Sequence, residues 1–117
     1  LAFKPNDVIV DIGANIGELG IYFSYQHIPV RYIAFEPGSM EFMCLNQNVV
    51  SNELYNYAVW SHTCSITLYL NSRDADTSLI EPAHYDSKIT IDAVSVHDCI
   101  HRIPIKLVKI DAEGAEQ

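Results

Sequence analysis

Val8-Ile9-Val10-Asp11-Ile12-Gly13-Ala14-Asn15-Ile16-Gly17 is the stretch that decides how this chain is read. A β-branched apolar run stops at an acidic residue and a glycine turn, which predicts a buried strand over Val8 to Asp11. Ile16, Leu19, Tyr22 and Phe23 then fall at helical spacing, so a helix is expected over Ile16 to Gln26, closed by Pro29. Val30 to Phe35 form a second apolar strand that ends at Glu36-Pro37-Gly38. Strand, glycine turn, helix and strand is the order in which an open α/β sheet builds a nucleotide site. The ligand lies across the carboxyl ends of adjacent parallel strands, close to a helix N-terminus.

Working outward, Ser39 is expected as an N-cap, and Phe42, Met43, Leu45, Val49 and Val50 mark a second helix that Asn52 breaks. Tyr55 to Val59 read as a third strand. Ser65 to Leu70 and Lys88 to Val94 alternate in polarity, which predicts an antiparallel pair with one solvated face, joined by a polar loop from Asn71 to Asp86. Ser95 to Ile100 suggest a short helical turn. Ile105 to Ile110 read as a last buried strand ending at Asp111-Ala112-Glu113-Gly114. No repeat or linker interrupts the chain. The expectation is a single α/β domain over residues 1–117, with a Rossmann-like, mostly parallel sheet, right-handed crossovers and an inserted antiparallel hairpin.

The 117 residues are 49% hydrophobic, enough for a real core, and carry a formal net charge of −8. Such an acidic balance opposes phosphate backbones and anionic lipid, so neither nucleic acid nor a membrane surface is an expected partner. The apolar runs are too short to span a bilayer. Cys44, Cys64 and Cys99 are odd in number and form no CxxC, which fits reduced thiols of a cytoplasmic protein better than a zinc site. The chain opens at Leu1 and stops at Gln117 directly after a strand and an acidic turn, so it is expected to be a fragment.

The chemistry starts at the first turn. Its spacing is Gly13-x-x-x-Gly17, with Ala14-Asn15 where the GxGxxG of a dinucleotide site places its second glycine. S-adenosylmethionine (SAM) has no pyrophosphate but carries a sulfonium and an amino acid group. An acidic Asp11 suits its ammonium, and backbone donors over Ala14 to Gly17 suit its carboxylate. Glu36, 25 residues after Asp11, ends the second strand, where a carboxylate can accept from both ribose hydroxyls. It would repel the 2′-phosphate of NADP.

With these residues in view, the chain resembles the FkbM family of SAM-dependent methyltransferases, which have the class I Rossmann-like fold. The resemblance is carried by Asp11 to Gly17, Ala34-Phe35-Glu36-Pro37, Leu45 with Asn48 and Asn52, Ala58-Val59, Thr77-Ser78-Leu79, and Val108 to Glu116. It implies a doubly wound sheet in the order 3-2-1-4, with the later strands of the class missing. It implies that Asp11, Gly13, Asn15 and Gly17 line the methionine part of SAM and that Glu36 holds the ribose. Pro37 would flank the adenine, Tyr57 and Ala58 would cover its edge, and Asp111 would sit near the methyl group. It also implies methylation of oxygen on a sugar or other small molecule, with S-adenosylhomocysteine (SAH) as product. The chain departs from the family at His97-Asp98, where Leu-Asp is common, and in its length.

An alcohol acceptor must lose a proton, so a base within reach helps. Asp111 and Glu113 lie two apart after a strand. One of them is a candidate base, or the pair a holder of a divalent cation; the plainer alternative is that Asp111 contacts SAM or backbone and Glu113 is structural. Lys109 is placed to pair with a nearby carboxylate. His97 and His101 bracket Cys99 at i and i+4 without a further ligand pair, and read as a surface or partly buried pair. His62 and His84 read as solvated loop residues, and Trp60 as core or adenine-flanking. Two other readings compete: a non-catalytic Rossmann-like module that binds a nucleotide or a partner, and an NAD-dependent oxidoreductase, which the glycine spacing disfavours. A sheet cut after its fourth strand leaves an open edge, through which self-association is expected.

Overall fold

A computed structural model describes residues 2–60, 64–71, 76–78, 87–95 and 103–111. Strands β1 (Val8–Ile12), β2 (Arg31–Phe35), β3 (Leu54–Tyr55) and β8 (Leu107–Ile110) form a parallel sheet in the order β3-β2-β1-β8. Helix α1 (Glu18–Tyr25) connects β1 to β2, and α2 (Ser39–Asn48) connects β2 to β3. The chain therefore winds one way from β1 through β3, while β8 pairs on the other side of β1. That reversal is the topological switch point at which open α/β sheets bind ligands. The Rossmann-like arrangement expected from the sequence is present, with β8 in the place of the fourth core strand.

A second sheet has the order β4-β7-β5-β6, from β4 (Ala58–Trp60), β5 (Cys64–Asn71), β6 (Asp76–Ser78) and β7 (Ser87–Ser95). Strands β5 and β7 are antiparallel, with Cys64 opposite Ala93 and Leu70 opposite Ser87. Lys88, Thr90 and Asp92 on β7 are exposed, which is the solvated face that alternation predicts.

The parallel sheet is covered on both faces. Ile9, Tyr32 and Ala34 pack toward the helices with Ala14, Phe23 and Leu45. Val8, Val10, Ile12, Ile33 and Phe35 face the other way, and Val59 and Val94 of the second sheet pack against them with Ile103 and Ile105. Burial on both sides explains why β1 is an unbroken apolar run except at Asp11.

Five expectations need correcting. The third strand is split: Leu54–Tyr55 pair with β2, and Ala58–Trp60 pair with β7. An extended pattern reports strand conformation but not the partner, and here one extended run serves two sheets. The polar loop from Asn71 to Asp86 contains β6, whose Asp-Thr-Ser sequence carries no apolar signal because it sits at a sheet edge and is held through β5. Ser39 is the first helical residue rather than the cap; Gly38 occupies the N-cap, without a side-chain cap. The last strand is not buried: Val108 and Ile110 are 41% and 49% exposed, because among the described residues β8 pairs with β1 alone. Likewise Met43 and Val50 point outward, leaving Leu45 as the buried anchor of α2. Ser95 ends β7, and the rest of the expected turn to Ile100 lies outside the described residues. Among the described residues no helix is long and apolar enough to cross a membrane.

Candidate functional site

The site is built where β1, β2, β3 and β8 end. After Ile12 the chain turns through Gly13 (φ 77°), Asn15 (φ 55°) and Gly17 (φ 96°), all in the left-handed region. Glycine adopts it without cost. At Gly17 a side chain is excluded twice over, since a Cβ would stand 2.8 Å from Leu45 Cδ1 and from Val49 Cγ2. The turn is pinned to the end of β2: the N–H groups of Gly13 and Ala14 both donate to the Phe35 carbonyl, at 2.9 and 3.0 Å. Asn48 Nδ2 holds the Ile16 carbonyl from α2 at 2.8 Å. Helix α1 starts after Gly17 with no side-chain cap, and the Gly20 N–H in its first turn bonds the Tyr32 hydroxyl.

Glu36 closes the other side. Its buried carboxylate accepts from Asn15 N–H at 2.8 Å through Oε1 and from Gly38 N–H at 2.7 Å through Oε2. Burial raises its pKa above the ordinary value, and the N–H donors of Gly38 and Asn15 oppose that rise. Pro37 is half-buried beside it. Glu41, in the first turn of α2, folds its carboxylate over Gly38, 2.6 Å from where a Cβ would stand. Its Oε2 is buried and has no hydrogen-bond partner among the described residues. A buried carboxylate oxygen without a donor suits a ligand that brings hydroxyl or amine donors to this end of the sheet.

Beyond β3, Asn56 Nδ2 donates to the carbonyls of Glu36, at 2.8 Å, and Pro37, at 3.2 Å, fixing the acidic turn. The rings of Phe35, Tyr55 and Tyr57 form a ladder with centroid separations of 5.3 and 6.3 Å. A cavity of about 470 Å³ lies where the chain passes from one sheet to the other, lined by Tyr55, Asn56, Tyr57, Thr90 and Asp92 among others. Tyr57 is exposed there, whereas the Ala58 side chain is buried. A larger cleft, about 610 Å³, lies at the opposite ends of the strands beside Arg31 and Glu53, away from the turn.

Asp111 is exposed and follows β8; its N–H donates to the Ile12 carbonyl at 2.9 Å, so it stands beside the glycine turn. Asp11 is different. It is 0% exposed, and both of its oxygens are taken by protein donors: Oδ2 by the Tyr32 hydroxyl, Oδ1 by Lys109 Nζ at 3.2 Å. Burial, followed by this hydrogen bond to Asp11, pushes the Tyr32 pKa far upward, so the hydroxyl keeps its proton and donates. Lys109 pairs with a carboxylate as its position suggested.

The structure thus brings Gly13, Ala14, Asn15, Gly17, Glu36, Pro37 and Asp111 to one end of the sheet, with Tyr57 on the flanking cavity. Glu113, His62, His84, His97, Cys99 and His101 lie outside the described residues. Among those described, no cluster of three or more His, Cys, Asp or Glu residues is arranged to hold a metal. Nothing in the residue pattern singles out Tyr32, Glu41 or Asn56. Tyr32 reads as one more apolar strand residue, and the other two as ordinary polar positions on a helix and in a loop.

The fold is a Rossmann-like α/β sheet, with the glycine turn and Glu36 together at its switch point. Comparison with known proteins finds similarity to two proteins named as methyltransferases. The chain is 25% identical to "Methyltransferase 1" of Beauveria bassiana (strain ARSEF 2860) over 145 aligned positions, covering 97% of this chain and 57% of that protein. It is 37% identical over 51 residues to "31-O-demethyl-FK506 methyltransferase FkbM" of Streptomyces tacrolimicus, covering 44% of this chain and 20% of that protein. The chain therefore spans little more than half of the first relative's length and a fifth of the second's. No family model matches it. No solved structure matches it either.

Proposed function

We propose that this chain binds SAM across the carboxyl ends of β1, β2, β3 and β8 and belongs to an enzyme that methylates a hydroxyl oxygen of a small molecule. The observation that carries the reading is the Glu36 clamp. One buried carboxylate at the end of β2 bonds the glycine turn through Asn15 and its own turn through Gly38, so both halves of a nucleoside site are held by a single group. Each carboxylate oxygen keeps a second acceptor direction, which suits a ribose diol. The partnerless Oε2 of Glu41 suits a further donor at the same end. The names of both relatives support methyl transfer.

When bound, SAM supplies an electrophilic methyl group on its sulfonium. The protein's part is alignment and proton handling. Fixing the nucleoside against Glu36 and the amino acid end beside α1 sets the direction of the methyl, and such positioning supplies much of the rate of a displacement. The exposure of Asp111 and its bond to the Ile12 carbonyl support a role in taking the proton of an acceptor hydroxyl.

Calorimetric titration with SAM, SAH and NAD tests this. Saturable binding of SAM and SAH, no binding of NAD, and a loss of about tenfold or more in Glu36→Ala are expected, the size of a charge-assisted hydrogen bond removed. A folded chain that binds NAD and not SAH would overturn the reading.

A further inference from the structure

The ammonium of Lys109 occupies the place that a ligand ammonium would need. Asp11, the acidic residue under the turn, is 0% exposed, with Tyr32 and Lys109 each donating to one of its oxygens, so no part of it reaches the surface. Asp11 therefore offers nothing to a ligand directly. What reaches outward is Lys109, whose side chain is 35% exposed. It lies opposite Asp11 in the β1–β8 register and two residues before Asp111, on the same face of β8. Its ammonium has three donors, and Asp11 takes one of them.

The other described cations of the parallel sheet sit at its far end. Arg31 begins β2 and is paired with Glu53, and the N–H of Lys106 bonds the carbonyl of Val8. In a chain of net charge −8, Lys109 is a cation paired in register with Asp11, two residues before Gly13 of the turn. We propose that Lys109, positioned by Asp11 and Tyr32, binds the α-carboxylate of the amino acid portion of the cofactor. The proposal rests on SAM being the ligand. It assigns Asp11 a positioning role: the buried carboxylate holds the ammonium at 3.2 Å, and the neighbouring α1 N-terminus favours the same negative group.

The test compares two ligands on the full chain: SAH, and 5′-methylthioadenosine, which keeps the nucleoside and the sulfur but lacks the amino acid carboxylate. Lys109→Met should weaken SAH about tenfold or more while leaving methylthioadenosine unchanged, as expected for one hydrogen bond between charged groups. Lys109→Arg should restore most of the SAH preference. Should Lys109→Met unfold by stranding the buried Asp11, the double variant Asp11→Asn/Lys109→Met removes both charges and should show the same selective loss. Equal weakening of both ligands, or no change in either, would overturn the proposal while SAM binding stands. Failure of the unaltered chain to bind either ligand would overturn SAM binding and this proposal together.

Discussion

The two sheets of this chain are built by different rules. In the parallel sheet β1 is buried along its whole length and β2 everywhere but Arg31, because α1 and α2 cover one face and the second sheet covers the other. In the second sheet, β7 alternates, with Lys88, Thr90 and Asp92 in solvent and Ala93 buried. The same backbone conformation thus carries two kinds of sequence, set by how many faces are dry. The difference also separates roles. The turn and Glu36 follow β1 and β2, the strands covered on both faces, while Lys109 and Asp111 belong to the more exposed β8 and its end. The second sheet contributes cover through Val59 and Val94, and one wall of the cavity beside Tyr57.

The largest effect should come from the centre of the parallel sheet. Ile9→Ala removes a fully buried side chain and is expected to cost about 2–5 kcal/mol, measured by urea unfolding. Thr90→Ala on the exposed face of β7 should change stability by about 0.5 kcal/mol or less. Similar losses at both positions would mean that the sheets are not unlike after all.

Gly17→Ala sharpens the comparison at the turn. It forces a side chain into left-handed backbone and against Leu45 and Val49, so a loss of about 2 kcal/mol is expected. SAH affinity should fall in the same variant, since the turn that α1 begins from must move. Unchanged stability would show that Leu45 and Val49 can give way.

The smallest effect is a dependence on pH. Burial raises the pKa of Glu36 in the folded chain, so the folded state holds its proton to higher pH than the unfolded state does. Relative to Glu36→Gln, the unaltered chain should be most stable below the ordinary glutamate value of 4.5. That advantage should decline as pH rises through the raised folded value and then level off. A difference that grows with pH would mean that the N–H groups of Asn15 and Gly38 outweigh desolvation.

Much of this was legible in the order of residues. An apolar run, a glycine turn and an acidic strand end are local patterns, and they located β1, α1, β2 and α2 to within a few residues and placed Glu36 at the tip of β2. What periodicity does not encode is the identity of the neighbour. Residues 54–60 are extended throughout, and only packing assigns their first half to β2 and their second half to β7. Strand β6 was invisible because a polar edge strand is held by backbone bonds to which side chains contribute little. Lys109 and Asp11 are 98 residues apart, and sequence alone offered several carboxylates as partners. By itself, then, the sequence determined the kind of sheet, the position of its glycine turn and the acidic residue at the end of β2, because these depend on local backbone geometry and burial pattern. The tertiary structure decided that Asp11 is spent on Lys109 and Tyr32, that Glu41 keeps a buried oxygen open and that Asn56 fixes the acidic turn. Those facts depend on which side chains meet across strands, and long-range pairing is specified by the packed core as a whole.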